Sequence, residues 1–262
     1  MKLLAGGWQG EFGWEICTWI PYLRKLARKY DEVVIVCSPN KRFLYEDFAT
    51  EFVDFISTSK GDMWYRSARP QKLAKIPKKI KEMYADCDIV EPGEGKYLSK
   101  SRESLRYGKP SDSDIKYDII IHARAETKYG QGGLNYPPAR YEKLLRVLRK
   151  KRKVAVCSIG TNAFFIPGTE NKMNIPLNVL CYSLANANVC VGTSSGAMHL
   201  ASMCGCPHVV LTGKSKLRSV NGTNRDRYEK FWNPLKTPVT VIDKYGWKPP
   251  VEAVIEAVKE YL

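Results

Sequence analysis

Short continuous apolar runs alternate along the chain with stretches in which apolar residues return every three or four positions, and this alternation predicts an α/β fold. The runs over 2–5, 32–38, 117–121, 153–159, 187–191 and 208–212 read as buried strands. Helical spacing links Ile16, Ile20, Leu23, Leu26 and Ala27, with Pro21 predicting a kink. It recurs in Tyr141, Leu144, Leu145 and Leu148, in Leu177, Leu180, Cys181, Leu184 and Ala185, and over 197–203. After Pro249 and Pro250 it returns in Val251, Val254, Ile255, Val258 and Leu262. A short helix is expected over 41–52, ahead of the apolar 53–56. The segment 93–114 is polar and turn-rich without a lasting period, which makes it a linker, or an acceptor loop ending in one, between domains at 1–114 and 115–262.

Two turns carry candidate chemistry. Gly192, Thr193, Ser194, Ser195 and Gly196 join a strand to a helix, and such a turn presents backbone N–H groups and the positive end of the helix dipole to a phosphate. An ordinary strand-to-helix turn, with small residues for close packing, has the same spacing. The first strand runs into a glycine-rich loop at 6–13 and then a helix, a Rossmann-type opening without the G-x-G-x-x-G fingerprint, so its glycines are read as letting a ligand approach the backbone. Glu11 lies in that loop, where a carboxylate can serve as a general base or stay solvated. Glu15 is the reserve, its bland role being negative charge near a helix N-terminus. Arg124 follows the strand at 117–121 and is shaped to bind a phosphate bidentately, whereas His122 reads equally as a core-edge histidine. Gly160, Thr161 and Asn162 open a loop suited to a nucleotide base or ribose.

Composition narrows the partners. The 262 residues are 44% apolar, enough for two real cores, and carry a formal charge of +15, which favours an anionic partner: nucleic acid, acidic glycan or membrane surface. The most lopsided window is 60–84, with Lys60, Arg66, Arg69, Lys72, Lys75, Lys78, Lys79 and Lys81 beside Trp64 and Tyr65. It reads as a grip on phosphates and an unstacked base, or as a solvated lysine-rich face. A second basic loop holds Lys214, Lys216, Arg218, Arg225, Arg227 and Lys230. The eight cysteines lie mostly in apolar runs and read as reduced thiols. Cys204 and Cys206 near His199 and His208 lack a standard zinc spacing, so no metal site is expected. No signal peptide or transmembrane run is recognisable, which leads to the expectation of a cytoplasmic protein.

The stretch 191–213, VGTSSGAMHLASMCGCPHVVLTG, resembles the diphosphate-binding segment of the ADP-heptose:lipopolysaccharide heptosyltransferases and their relatives. Their pattern is a strand, G-x-D-[ST]-G-x-x-H-x-A, and a small residue with Pro before the next strand. Gly192, Ser195, Gly196, His199, Ala201, Gly205 and Pro207 are in register, with Ser194 where the family has Asp. Gly10, Glu11 and Pro21 resemble the family's Gly-Asp loop and first-helix Pro, and Tyr136-Pro137 its Trp-Pro; the Lys before that Trp is missing, so Arg124 or Lys128 would supply the charge. The resemblance implies the GT-B architecture, two Rossmann-like domains around a cleft with a terminal helix (249–262) crossing back to the first domain. It implies an inverting sugar transfer from a nucleotide-diphosphate donor, without cofactor or metal. The donor set is Arg124, Ser158, Thr193, Ser194, Ser195, Gly196 and His199, the base Glu11 or Glu15, and the acceptor set Gly10, Trp64, Tyr65, Lys72 and Lys75. The basic patch then suggests DNA with hydroxymethylated bases as acceptor, against acidic or lipid-linked saccharides. A non-catalytic nucleic-acid- or nucleotide-binding protein on this fold is the alternative.

Overall fold

The computed structural model describes residues 1–8, 10–55, 76–92, 100–109, 116–125, 133–150, 154–161, 163–213 and 222–262. They form two units, Met1–Leu105 and Arg106–Leu262. In the first, strands β1 (Lys2–Gly6), β2 (Glu32–Cys37), β3 (Glu51–Asp54) and β4 (Asp88–Val90) make a parallel sheet in the order β3-β2-β1-β4. The Val/Ile-rich β2 is buried along nearly its whole length, as a central parallel strand must be.

Between β1 and β2 the chain is helical over 12–27 in three pieces: α1 (Phe12–Trp14), a π-helical turn (Glu15–Trp19) and α2 (Ile20–Ala27). Pro21 enters α2 in its first turn. Its ring cannot donate to the fourth residue upstream and crowds that carbonyl, which accounts for the widened turn just before it. The expected helix over 41–52 is only a 3-10 stretch, Pro39–Leu44. Turns follow it, and Thr50 then leads into β3: its Oγ1 accepts from the Val33 N–H at 2.8 Å and donates to the Val33 carbonyl at 3.1 Å. Helix α3 (Lys78–Met83) has no buried residue.

The second unit contains β5 (Ile119–Arg124), α4 (Pro138–Arg149), β6 (Val156–Gly160), β7 (Ala163–Phe164), β8 (Glu170–Met173), α5 (Leu177–Ala185), β9 (Val189–Thr193), α6 (Gly196–Cys204) and β10 (His208–Leu211). It ends with α7 (Asn224–Arg227), a π-helical turn (Tyr228–Trp232), β11 (Val239–Ile242) and α8 (Val251–Lys259). Its sheet runs β11-β10-β9-β5-β6-β8, all parallel, with β7 added antiparallel on β5. Setting β7 aside, this is the 3-2-1-4-5-6 order of a Rossmann fold.

The units divide at Leu105/Arg106 rather than after Asp114, because the chain is tied to the second unit from Arg106 on. The Tyr107 N–H donates to the Met203 carbonyl (2.9 Å) and Arg106 Nη2 to the Gly205 carbonyl (3.2 Å). The terminal helix α8 has its apolar face in the second unit. Val251, Val254, Ile255, Ala257 and Val258 lie in the second unit's own core, with Leu144, Leu145 and Leu148 of α4. Among the described residues no helix is long and apolar enough to cross a membrane.

Candidate functional site

In the second unit the strand order reverses between β5 and β9, which pair directly with His122 opposite Gly192. In open α/β sheets, ligands sit outside the carboxyl ends of the strands at such a reversal. Arg124 stands there, half-buried at the tip of β5, and Thr193, fully buried, at the tip of β9. A Cβ at Gly192 would lie 2.7 Å from the His122 carbonyl and 2.9 Å from Met198 Sδ, so glycine is needed for β5, β9 and α6 to meet this closely. Ser194 uses its N–H on the Leu211 carbonyl (3.0 Å). Ser195 is the N-cap of α6, yet its side chain makes no capping bond, and its buried Oγ has no hydrogen-bond partner among the described residues. The N–H groups of Met198 and His199 return to the Ser195 carbonyl, while helix geometry leaves those of Gly196 and Ala197 without intrahelical acceptors. An arginine and an uncapped helix N-terminus therefore flank the same end of two adjacent strands.

Of the expected donor residues, Ser158 spends its hydroxyl within its own turn, while His199 is held by ring packing with both ring nitrogens unpartnered among the described residues. Ser158 is fully buried: its Oγ accepts from the Ile166 N–H (3.2 Å) and bonds Thr169 Oγ1 (2.8 Å), so it secures the turn before β8. His199 is buried and stacked on Trp232, with ring centroids 4.1 Å apart, and lies edge-on to Tyr228 at 5.5 Å. Burial pushes its pKa down to about 3, so its imidazole is neutral at ordinary pH and contributes no positive charge to a phosphate. His122 donates from Nδ1 to the Ile159 carbonyl (3.3 Å), and burial lowers its pKa to about 4. His208 donates from Nδ1 to the Cys206 carbonyl and accepts at Nε2 from Ser202 Oγ, both at 2.9 Å, which assigns it to packing.

The sequence reading placed Arg227 in a basic loop, but its side chain is fully buried. Nη1 donates to Asn224 Oδ1 (3.2 Å), Asn224 Nδ2 donates to Thr212 Oγ1 (2.5 Å), and the guanidinium stands 5.4 Å from the centre of the Trp232 ring. Thr212 directly follows β10, the neighbour of β9, so this group reaches the same edge of the sheet. The one local signal was the capping box of Thr223 and Asp226, which marks the start of α7 and says nothing of burial.

In the first unit Glu11 is the half-buried N-cap of α1, just beyond the carboxyl end of β1. The glycines before it answer to the fold. Gly6 (φ +134°) would place a Cβ 2.2 Å from the Val36 carbonyl oxygen, and one at Gly10 would meet the Trp8 ring at 2.8 Å. Glu15 is almost wholly buried, bound by Lys41 Nζ at 2.5 Å and by the Tyr45 hydroxyl at 2.9 Å. With Trp8, Cys37, Ser38, Asn40, Lys41 and Phe55 it lines a cavity of about 150 Å³. The expected acceptor residues Trp64, Tyr65, Lys72 and Lys75 lie outside the described residues, as do Lys214, Lys216 and Arg218.

No protein-family model and no curated protein matches the sequence. Solved structures do match. A glycosyl transferase family 9 protein from Veillonella parvula aligns at TM-score 0.64 and 12% identity, over 99% of this chain and 96% of that one. The E. coli ADP-heptose LPS heptosyltransferase II aligns at 0.57 and 15%, over 100% and 98%. E. coli heptosyltransferase WaaC with ADP aligns at 0.56 and 11%, over the whole of both chains. The fold is that of the two-domain GT-B glycosyltransferases. Within a GT-B fold the two parallel sheets are the two Rossmann-like domains anticipated from the sequence.

Proposed function

We propose that this GT-B protein is a glycosyltransferase that moves a sugar from a nucleotide-diphosphate donor to a hydroxyl of an anionic acceptor, with inversion. The observation that carries the reading is the placement of Arg124 and the uncapped α6 N-terminus at the ends of the adjacent strands β5 and β9, where the strand order reverses. There the diphosphate accepts from the N–H groups of Gly196 and Ala197 and from the Ser195 hydroxyl, while Arg124 offsets the charge that develops on the leaving group. Glu11 takes the proton of the acceptor hydroxyl as its oxygen bonds the anomeric carbon and the bond to the diphosphate breaks. Glu15 is unsuited to that role because Lys41 and Tyr45 already occupy its oxygens.

A panel of nucleotide-sugars tests the reading, scored by thermal stabilisation and slow donor hydrolysis; a response to none of them would refute it. Arg124→Ala should weaken nucleoside-diphosphate and nucleotide-sugar binding together, by about 1–3 kcal/mol for a lost charge-assisted contact. Unchanged calorimetric affinity would assign Arg124 to structure alone. Helix dipole and arginine together make the transfer independent of divalent metal, so EDTA should leave its rate unchanged. A cytoplasmic location accords with eight unbridged cysteines, seven of them buried.

For the acceptor, the charge of +15 favours a polyanion, and DNA with hydroxymethylated bases is the candidate put to the test. Several phosphate contacts would give a steep fall of duplex affinity with salt. If duplex DNA binds no better than a sulfated polysaccharide, and hydroxymethylated DNA accepts no sugar, an acidic glycan takes its place.

A further inference from the structure

Phe164 and Phe165 leave 43% and 46% of their surface in water, although Phe is normally among the residues a fold buries first. Their position is specific. Strand β7 runs antiparallel to the last residues of β5, with Ala163 opposite Arg124 and Phe164 opposite Ala123. The two rings are thus carried at the carboxyl edge of the second unit's sheet, one residue from the arginine at the strand reversal.

The segment that carries them is held at both ends. At Gly160 (φ +120°) a Cβ would meet the His122 ring at 2.7 Å, so only glycine lets the chain turn from β6 into β7 against β5. On the far side Ile166 is fully buried in the core and its N–H is bound by Ser158 Oγ at 3.2 Å. Between these anchors two half-exposed aromatic rings stand on a short segment, and exposed aromatic rings are a sequence-tolerant surface for stacking a base.

We propose that the β7 flap is the base-binding platform of the nucleotide donor, with Phe164 and Phe165 as its stacking surface; this rests on the nucleotide-donor reading above. Arg124 and the α6 N-terminus take the charged end of the nucleotide, and the flap takes its uncharged aromatic end. Stacking reads ring area and not the pattern of donors and acceptors on the base edge, so purine nucleotides bind more tightly than pyrimidine nucleotides, without strict selection.

The test is calorimetric titration of the whole chain with ADP, UDP and inorganic pyrophosphate, comparing the native protein with Phe164→Ala, Phe165→Ala and Phe164→Tyr. At least one alanine variant should bind ADP about tenfold more weakly, a typical loss for one stacked base, and pyrophosphate within about twofold of the native protein. Phe164→Tyr should keep ADP affinity. Equal losses for ADP and pyrophosphate would show that the substitutions disturb the fold near Arg124 and would overturn the platform while leaving the donor reading intact. ADP affinity unchanged in both alanine variants would do the same. If the native protein binds none of the three ligands, the donor reading falls and the platform with it.

Discussion

Glu11→Gln should lower the rate of sugar transfer by about 10²–10⁴-fold, the range for loss of a positioned general base, and leave nucleotide affinity unchanged. The amide matches the carboxylate in shape but cannot take a proton from the acceptor, and Glu11 belongs to the first unit whereas the proposed diphosphate contacts belong to the second. Its neighbour supplies the contrast. Glu15→Gln leaves Lys41 without its counter-ion in a largely buried setting, so its effect should be on stability, on the order of 2 kcal/mol. That is less than for a fully buried pair, because Lys41 keeps some access to water. Single-turnover transfer and urea unfolding of both variants separate the roles. A Glu11→Gln enzyme within a few-fold of native would sink the proposed base.

Acidification should strip stability from the second unit well before its carboxylates are all protonated. His122, His199 and His208 are each held neutral by burial, with pKa values lowered to about 4, 3 and 4, against about 6.5 in an unfolded chain. Below about pH 6.5 the unfolded chain therefore binds protons that the folded one refuses. The stability these sites confer is complete above that pH and is lost as pH falls toward 4. Each proton taken up on unfolding is worth about 1.4 kcal/mol per pH unit, so three give a slope of about 4 kcal/mol per unit. Against a usual total of about 5–15 kcal/mol, such a slope unfolds the unit between about pH 5 and 4. Urea midpoints measured from pH 7.5 to 4.5 check this. A flat profile down to pH 5.5 would mean that the folded protein accepts these protons, and a folded His208→Gln variant should lose about a third of the slope.

The sequence alone determined the central strands β1, β2, β5, β6, β9 and β10, because a parallel strand covered on both faces is written as an unbroken apolar run. It also determined α5, α6 and the small-residue turn between β9 and α6, where helical period, glycine and strand adjoin in one local stretch. The edge strands β4 (Asp-Ile-Val) and β8 (Glu-Asn-Lys-Met) escaped, since they are short and carry charged residues in place of an apolar run.

Tertiary structure alone decided what surrounds each candidate side chain. Strand order brings Arg124 beside Ser195 across the whole of α4, β6, β8 and α5, and no periodicity records that pairing. Glu11 is the candidate base and Glu15 its reserve on paper, and only the fold shows that Lys41 and Tyr45, brought in from beyond β2, bind the Glu15 carboxylate. Ser158 bonds Thr169 and His199 stacks on Trp232, while Arg227, one basic residue among many, is buried. Local sequence sets propensity and burial pattern, but the partner of a polar side chain is chosen by which elements pack together, and that choice belongs to the fold as a whole.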